Sequence, residues 1–483
     1  MQGIYILRRA DLSYLVSGVT KGMCTALVGL SNTGKSAVLR TLAEPGLADV
    51  ILGEAKDLSP SAVYCYIDCN RMLEMSAQGF YEVTLRALLT TLPGPNPPTP
   101  LSLRGRGAPL SPDLGEGGER AGMVERIWAC YQEVLEGSSP FRIALSFNEA
   151  LASAATGSGR LALLFDEFDE ALATLDARVF LNLRALYDQF DGRLCYITAT
   201  SSPLEQIRPL EEVGEFCELF EGRLHWLSML SPDEACAVAA EYAGRAGVRL
   251  DDEELDFIVG QAGGHPGLLQ AVTAALLRAG ANFPTSLREQ TFTWLAARLE
   301  EDELVRNECA KLWRQLSPPE QEGLYVLLRS PVSSAQEGGE GQEGEQAPAL
   351  AALREKSILV GEPPRIFSRL FEAYARRRAT AHTLARGVRV DIESGEVTVD
   401  GRPIPTLTDL EYRLLLLLYG RMDKLCDKYQ IVEAVWGQEY IDEVDDARIE
   451  KLVSRLRAKL EPDPANPRYL LTLRGRGYKL VRG

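Results

Sequence analysis

Nothing in this 483-residue chain approaches the ~20 consecutive apolar residues that a membrane-crossing helix needs. The opening MQGIYILRRADLSYL carries its charges after its apolar patch and lacks a small-residue cleavage site, the wrong order for a secretory leader. The expectation is a cytoplasmic protein with no membrane partner. Histidine is scarce, with three in the chain, and the nine cysteines are an odd number scattered between Cys24 and Cys426. Only Cys65 and Cys69 lie close together, and no histidine stands nearby to complete a zinc set. Buried free thiols are therefore expected, in preference to disulfides or a metal centre. No segment recurs at the period of solenoids or propellers, roughly 20–50 residues.

Positive charge is also in short supply, the formal net charge being -16. That argues against general binding to nucleic acid, yet the deficit is uneven. From residue 448 to 483 there are ten Lys or Arg against three acidic residues, a local net charge of +7 that leaves -23 for everything before it. A small basic module on an acidic body implies one localised anionic partner and repulsion of that partner elsewhere.

Length and an apolar fraction of 46% allow about three domains. Three stretches break the periodic pattern. Residues 93–122 are dense in Pro and Gly and hold a first LRGRG at 103–107, with no strand pattern around it; they read as an exposed, partly disordered loop. Residues 333–348, SSAQEGGEGQEGEQAP, carry four glutamates and no basic residue, and read as a disordered acidic insertion. The third, 379–387, follows Arg376-Arg377-Arg378 and sets off the last hundred residues as a domain.

CTALVGLSNTGKSAVLRTL runs from an apolar strand through Gly29-x-x-x-x-Gly34-Lys35-Ser36 into a helical pattern. This is the full context of a phosphate-binding loop. Backbone N–H groups from Gly29 to Ala37, including those of Ser31, Asn32 and Thr33, close around β- and γ-phosphates; Lys35 neutralises them, and Ser36 offers its hydroxyl to Mg²⁺. Such a loop needs a second strand ending in acids, and RLALLFDEFDEAL supplies it. Residues 161–165 form a buried parallel-strand run. Asp166 then holds Mg²⁺ through water, and Glu167 is placed to orient or deprotonate an attacking water. Asp169 and Glu170 read as a solvated helix start. Strands at 62–68 and 193–202 complete the sheet, the polar end of the latter offering Thr198, Thr200 or Ser201 as a γ-phosphate sensor.

On these motifs residues 4–378 resemble an AAA-type ATPase of the STAND or archaeal-type signalling group. ILRRADLSYLVSGVTKG is similar to its N-terminal helix, WLSMLSPDEACAVAAEYA to its passage into a helical lid, and GQAGGHPGLLQAVTAAL to its Gly-x-Pro element. The resemblance implies that Gly264, His265 and Pro266 face the adenine or ribose of bound ATP or ADP, although a capping histidine explains GGHPG equally well. LSPPEQEGLYVLLRS and ALAALREKSILVGEPPRIFSRLFEAYARR resemble two halves of an internal winged helix, read as a packing module. Arg208 and Arg223 are the candidates for an arginine finger.

From residue 388 short strands, three helices and a terminal hairpin resemble the OmpR/PhoB-type winged helix-turn-helix over its whole length. The third helix sets Ile449, Val453, Leu456 and Leu460 as a core stripe, with Arg448, Leu452, Arg455 and Lys459 beside it as a stripe available to solvent. Together with Lys451, that basic stripe suits a helix lying in the major groove of double-stranded DNA. Arg474 and Arg476, in the second LRGRG, occupy a wing tip that reaches phosphate or the minor groove.

The expected architecture is thus multidomain α/β plus α. It comprises an ASCE/AAA-type parallel-sheet P-loop domain (1–226), a helical lid (227–305), an internal winged helix (306–378) and an OmpR/PhoB-type domain (386–483). The expected function is an ATP-dependent switch with slow hydrolysis, a STAND-type transcriptional regulator whose nucleotide state governs homo-oligomer assembly and DNA binding. The alternative is a DNA-processing or defence ATPase triggered by DNA through its winged helix. No repeat array or receiver domain is recognisable, so the upstream signal or partner protein is not visible in the sequence.

Overall fold

The computed structural model describes residues 7–52, 62–92, 116–157, 159–280, 288–329, 343–385, 387–392, 394–440 and 443–482. The chain divides into two compact units, Met1–Leu324 with Val332–Ala373, and Tyr325–Pro331 with Tyr374–Gly483.

The first unit is built on a parallel sheet of β1 (Thr25–Val28), β2 (Ala62–Asp68), β3 (Arg160–Asp166), β4 (Leu194–Thr200) and β5 (Leu224–Trp226), in the order β2-β3-β4-β1-β5. β1 and β4 are buried at every position and β3 at all but its first, which is why they read as continuous apolar runs. Alternate side chains feed two cores. Ala26, Leu161, Leu163, Phe165 and Tyr196 face a cluster with Phe80, Phe168, Phe180 and Phe216. Leu27, Ala162, Leu164 and Ile197 face another, with Leu12, Leu15 and Val16 of α1 (Arg9–Thr20) and Val38, Leu39 and Leu42 of α2 (Lys35–Leu42). Because β4 lies between β1 and β3, the loops leaving the carboxyl ends of β1, β3 and β4 open on one crevice.

Helices Glu116–Glu136 and Pro140–Gly157 lead into β3. The first corrects the expectation of a loop through residue 122: helix begins at Glu116, while 93–115, including the first LRGRG, lie outside the described residues. After β5 come helices Pro232–Arg245, Asp252–Ala262 and Pro266–Ala279, in the segment expected to form a lid, the first two opened by capping boxes, Ser231 with Glu234 and Asp251 with Glu254. Helices Glu303–Arg314, Pro318–Arg329 and Glu343–Glu355 and the hairpin Leu359–Val360/Arg365–Ile366 follow in the chain. Glu320 and Lys356 form a buried ion pair there at 2.8 Å. Of the expected acidic insertion, 333–342 lie outside the described residues, and 343–348 are corrected to the first turns of a helix. The expected break at 379–387 is likewise helical as far as Ala385.

In the second unit, antiparallel strands Val388–Val390, Val397–Val399 and Arg402–Pro403 precede helices Asp409–Gly420, Lys428–Val435 and Asp446–Leu460 and the hairpin Leu470–Leu473/Gly477–Leu480. Gly477 has φ +132° and lies so close to the Cys426 carbonyl that a Cβ would stand 2.1 Å from it. Only glycine lets the hairpin dock against the chain at Cys426, which pairs with Tyr478 through two backbone hydrogen bonds of 2.9 Å.

Candidate functional site

The crevice at the carboxyl ends of β1, β3 and β4 holds a cavity of about 980 Å³. Its floor is the loop from Ser31 to Ala37; Glu167, Asp169 and Ser201 line one side, and Arg8, Tyr242, Pro266, Glu308 and Lys311 the other. Asn32 (φ +58°) and Gly34 (φ +101°) supply the left-handed backbone that turns the loop into the N-terminus of α2. Lys35 folds back over the loop, donating to the carbonyls of Gly29 at 2.7 Å and Leu30 at 3.2 Å. Burial lowers its pKa, an effect opposed by the carboxylates of Glu167, Asp169 and Asp166, which favour the ammonium form.

At the end of β3, Asp166 is buried; one oxygen accepts from the Tyr66 hydroxyl at 2.6 Å, while Oδ1 is buried without a hydrogen-bond partner among the described residues. An orphaned carboxylate oxygen beside a phosphate-type loop fits a Mg²⁺ ion or one of its waters. Glu167, whose backbone is left-handed at φ +52°, lines the cavity, and burial followed by the neighbouring Asp166 raises its pKa, as suits a group that takes a proton. Of the three sensor candidates, Ser201 lines the cavity and donates to Asp169. Thr200 donates to the Ser202 carbonyl, and Thr198 is buried with its hydroxyl oxygen unpaired among the described residues. Arg208 and Arg223 are both engaged within the chain, Arg208 by Glu212 and the carbonyls of Leu172 and Leu175, Arg223 by Thr25 and the ring of Tyr14.

The outer half of the loop is held from three other places. Arg8, itself left-handed at φ +59° just before α1, donates to the Thr33 carbonyl at 2.7 Å and to the Ser228 carbonyl at 2.6 Å. Gln315 accepts from the Ser31 N–H at 2.7 Å and donates to its hydroxyl at 2.8 Å, and Glu308 accepts from the Asn32 amide at 2.7 Å. His265 reaches the Ser31 carbonyl at 2.9 Å through Nε2, while its Nδ1 accepts from the Leu268 N–H at 3.2 Å. Sequence reasoning missed Arg8, Glu308 and Gln315; a tandem Arg before a helix and a polar helix face carry no local sign of such contacts.

The expectation that His265 faces a base or ribose is corrected in its geometry. Both ring nitrogens are satisfied within the chain and the residue is fully buried, so it is the capping histidine, and Pro266 is the part of the motif that lines the cavity. Donation from Nε2 and acceptance at Nδ1 fix the neutral tautomer. Burial pushes its pKa down to about 4, against the opposing pull of the Ser31 carbonyl and Glu308. As the pH falls below about 6.5 the unfolded chain takes up this proton first, so stability is lost between about 6.5 and 4. The first unit is expected to lose about 2 kcal/mol between pH 7 and pH 5 through this residue. Denaturant melts of wild type and His265→Asn, which keeps a capping oxygen and an amide donor, check it: the variant's stability should fall less over that interval.

In the second unit, the helix Asp446–Leu460 buries Ile449, Val453, Leu456 and Leu460 as expected. Leu452 is a correction. At 5% exposure it joins that core, because it stands one turn from Ile449 and from Leu456 on the same face, and it is not available to DNA. Lys459 is half-buried, donating to the Thr406 carbonyl at 2.8 Å and Glu411 at 2.7 Å, so its charge is committed to the start of the helix Asp409–Gly420. Arg448, Lys451 and Arg455 are exposed along the helix, and Arg474 and Arg476 are exposed at the hairpin turn. Arg457 and Glu461 fasten the wing to the helix: Arg457 donates to the Leu470 carbonyl and Thr472 hydroxyl, and Glu461 accepts from the N–H groups of Arg468, Tyr469 and Leu470. Five exposed cations on a helix and a wing held in fixed register are suited to a polyanion with groove and backbone geometry.

Strand order, loop and β3 carboxylate define the first unit as a parallel-sheet P-loop ATPase fold, and three helices with a terminal hairpin define the end of the chain as a winged helix of the OmpR/PhoB type. Residues 401–480 match the family model described as "Transcriptional regulatory protein, C terminal". The chain is 43% identical over 93 residues to the sensory transduction protein RegX3 of Mycolicibacterium smegmatis, covering 19% of this chain and 40% of that one. It is 42% identical over 91 residues to the uncharacterized transcriptional regulatory protein YcbL of Bacillus subtilis, covering 19% and 39%. The chain thus spans about 40% of the length of these relatives. Among solved structures it is similar to a Walker-type ATPase of Pyrococcus abyssi, at 17% identity and a TM-score of 0.44 over 77% of this chain and 96% of that one. The chain joins a P-loop ATPase fold to a transcriptional-regulator DNA-binding domain. No helix among the described residues is long and apolar enough to cross a membrane.

Proposed function

We propose that this protein is an ATP-dependent switch that binds double-stranded DNA, a STAND-type transcriptional regulator whose nucleotide state sets its assembly and its affinity for DNA. The observation that supports this reading most is the hold on Ser31 and Asn32: side chains from the lid and from the helix Glu303–Arg314 and its end grip the phosphate loop directly. Ser31, Asn32 and Glu308 line the cavity, so nucleotide entering it meets the gripped loop and one of the side chains that grip it, and occupancy bears on the arrangement of the lid and of that helix. Magnesium, when bound, neutralises the phosphates and polarises the terminal one. Lys35 and the loop N–H groups bind and orient the phosphates, Ser36 and Asp166 face the metal, and Glu167 holds the proton of an attacking water. Slow turnover suits a switch, whose states must persist.

Assembly enters through the charge distribution. A +7 tail behind a -23 body is repelled from DNA by its own protein unless several tails act together. ATP or a slowly hydrolysed analogue is therefore expected to raise both oligomer mass and apparent duplex affinity, with Lys35→Ala losing both. Mass photometry beside a fluorescence-anisotropy titration of duplex DNA tests it. A monomer with the same DNA affinity in ATP, ADP or no nucleotide sinks the switch.

A further inference from the structure

We propose that Tyr66 is a positioning residue for the magnesium carboxylate, holding Asp166 so that its free oxygen faces the metal, and that Arg40 sets Tyr66 in turn. This inference rests on the reading of the cavity as a Mg²⁺–nucleotide site.

The two oxygens of Asp166 differ. Oδ2 accepts from the Tyr66 hydroxyl at 2.6 Å, and Oδ1 is buried with no partner among the described residues. A carboxylate rotates about its last torsion over a broad, two-fold profile, so a metal ligand that must present one oxygen needs something to hold the other. Sheet register makes Tyr66 the residue that reaches it. Tyr66 pairs with Leu164 across β2 and β3, which puts Asp166 two residues further along the same face, at the diagonal spacing that long aromatic side chains span. A serine or threonine at 66 would fall short.

Tyr66 is itself held on its other side. Its hydroxyl accepts from Arg40 Nε at 3.1 Å, and the Arg40 guanidinium lies 5.3 Å from the ring centroid. Arg40 stands one turn after Ser36 on α2, so the relay links the helix carrying one metal-facing group to the strand carrying the other. Because the hydroxyl's lone pair receives the Arg40 hydrogen, its own proton is directed at Asp166. A phenylalanine fills the same half-buried space and removes only the hydroxyl.

The test uses the full chain and a fluorescent ATP analogue, titrated with Mg²⁺ and, separately, in EDTA. Tyr66→Phe is expected to raise the half-saturating Mg²⁺ concentration about tenfold, the low end for loss of a metal ligand's hydrogen-bond partner, with affinity in EDTA unchanged. Arg40→Gln shifts it in the same direction by less. In an Asp166→Asn background, Tyr66→Phe should add nothing, since the group it positions is gone. An unchanged Mg²⁺ dependence in Tyr66→Phe overturns the inference, as does an equal loss in EDTA, which marks a packing role alone. If wild type itself binds the analogue with no Mg²⁺ dependence, the Mg²⁺–nucleotide reading fails instead, and this inference falls with it.

Discussion

Replacing Lys35 by alanine is expected to weaken ATP binding on the order of a hundredfold, while replacing Glu167 by glutamine leaves binding in place and slows hydrolysis by a similar factor or more. The two differ because of where each charge stands. Lys35 is buried over the loop with its ammonium against the Gly29 and Leu30 carbonyls, and alanine removes the one cation of the loop sequence. Glu167 lies across the cavity on the β3 side, where glutamine keeps size and hydrogen bonding but cannot take a proton. Isothermal calorimetry for binding and phosphate release for turnover separate the two. Equal ATP affinity of wild type and Lys35→Ala overturns the site; an undiminished rate in Glu167→Gln moves the base elsewhere.

Alanine at both Arg474 and Arg476 is expected to weaken duplex binding on the order of tenfold per contact at 0.1 M salt and to lower the log–log salt slope by roughly 0.9 for each lost phosphate. Alanine at Arg104 and Arg106, the same pentapeptide in the earlier context, should leave the slope where it was. Anisotropy titrations across salt concentrations distinguish them. The structure gives the tail copy a defined turn, with Gly475 at φ +72° between two exposed arginines and the strands fixed to the third helix by Arg457 and Glu461. A slope unaffected by the tail pair and reduced by the earlier pair would move the DNA contact out of the wing.

Much of this was legible in the chain because it is local. β2 is Ala62–Asp68, as its run of Val, Tyr and Ile suggests, and the P-loop declares itself through glycines at fixed spacing between a strand and a helix. The apolar stripe of the third tail helix follows from its 3.6-residue period. What escaped depends on distant chain. Leu452 sits at the edge of that stripe, and only the packing of the helix decides on which side of the boundary it falls. Lys459 looks like part of a basic face until Glu411 and Thr406 come within reach. His265 reads equally as ligand or cap until Ser31 and Leu268 occupy its two nitrogens. Tyr66 carries no motif; its part depends on the register of a neighbouring strand a hundred residues away.

The grip on the phosphate loop also fixes when that loop acquires its shape. Ser31, Asn32 and Thr33 are bonded to residues up to 284 positions along the chain, and such closures come late in folding because the entropy of a long loop must be overcome before the contact forms. During synthesis the helix Glu303–Arg314 leaves the ribosome tens of seconds after the loop does. Until then the nascent chain has every residue of the motif but lacks the Gln315 and Glu308 contacts that shape its outer half. A chain cut short before that helix is therefore expected to carry the whole phosphate-loop motif without the contacts that give its outer half a finished geometry.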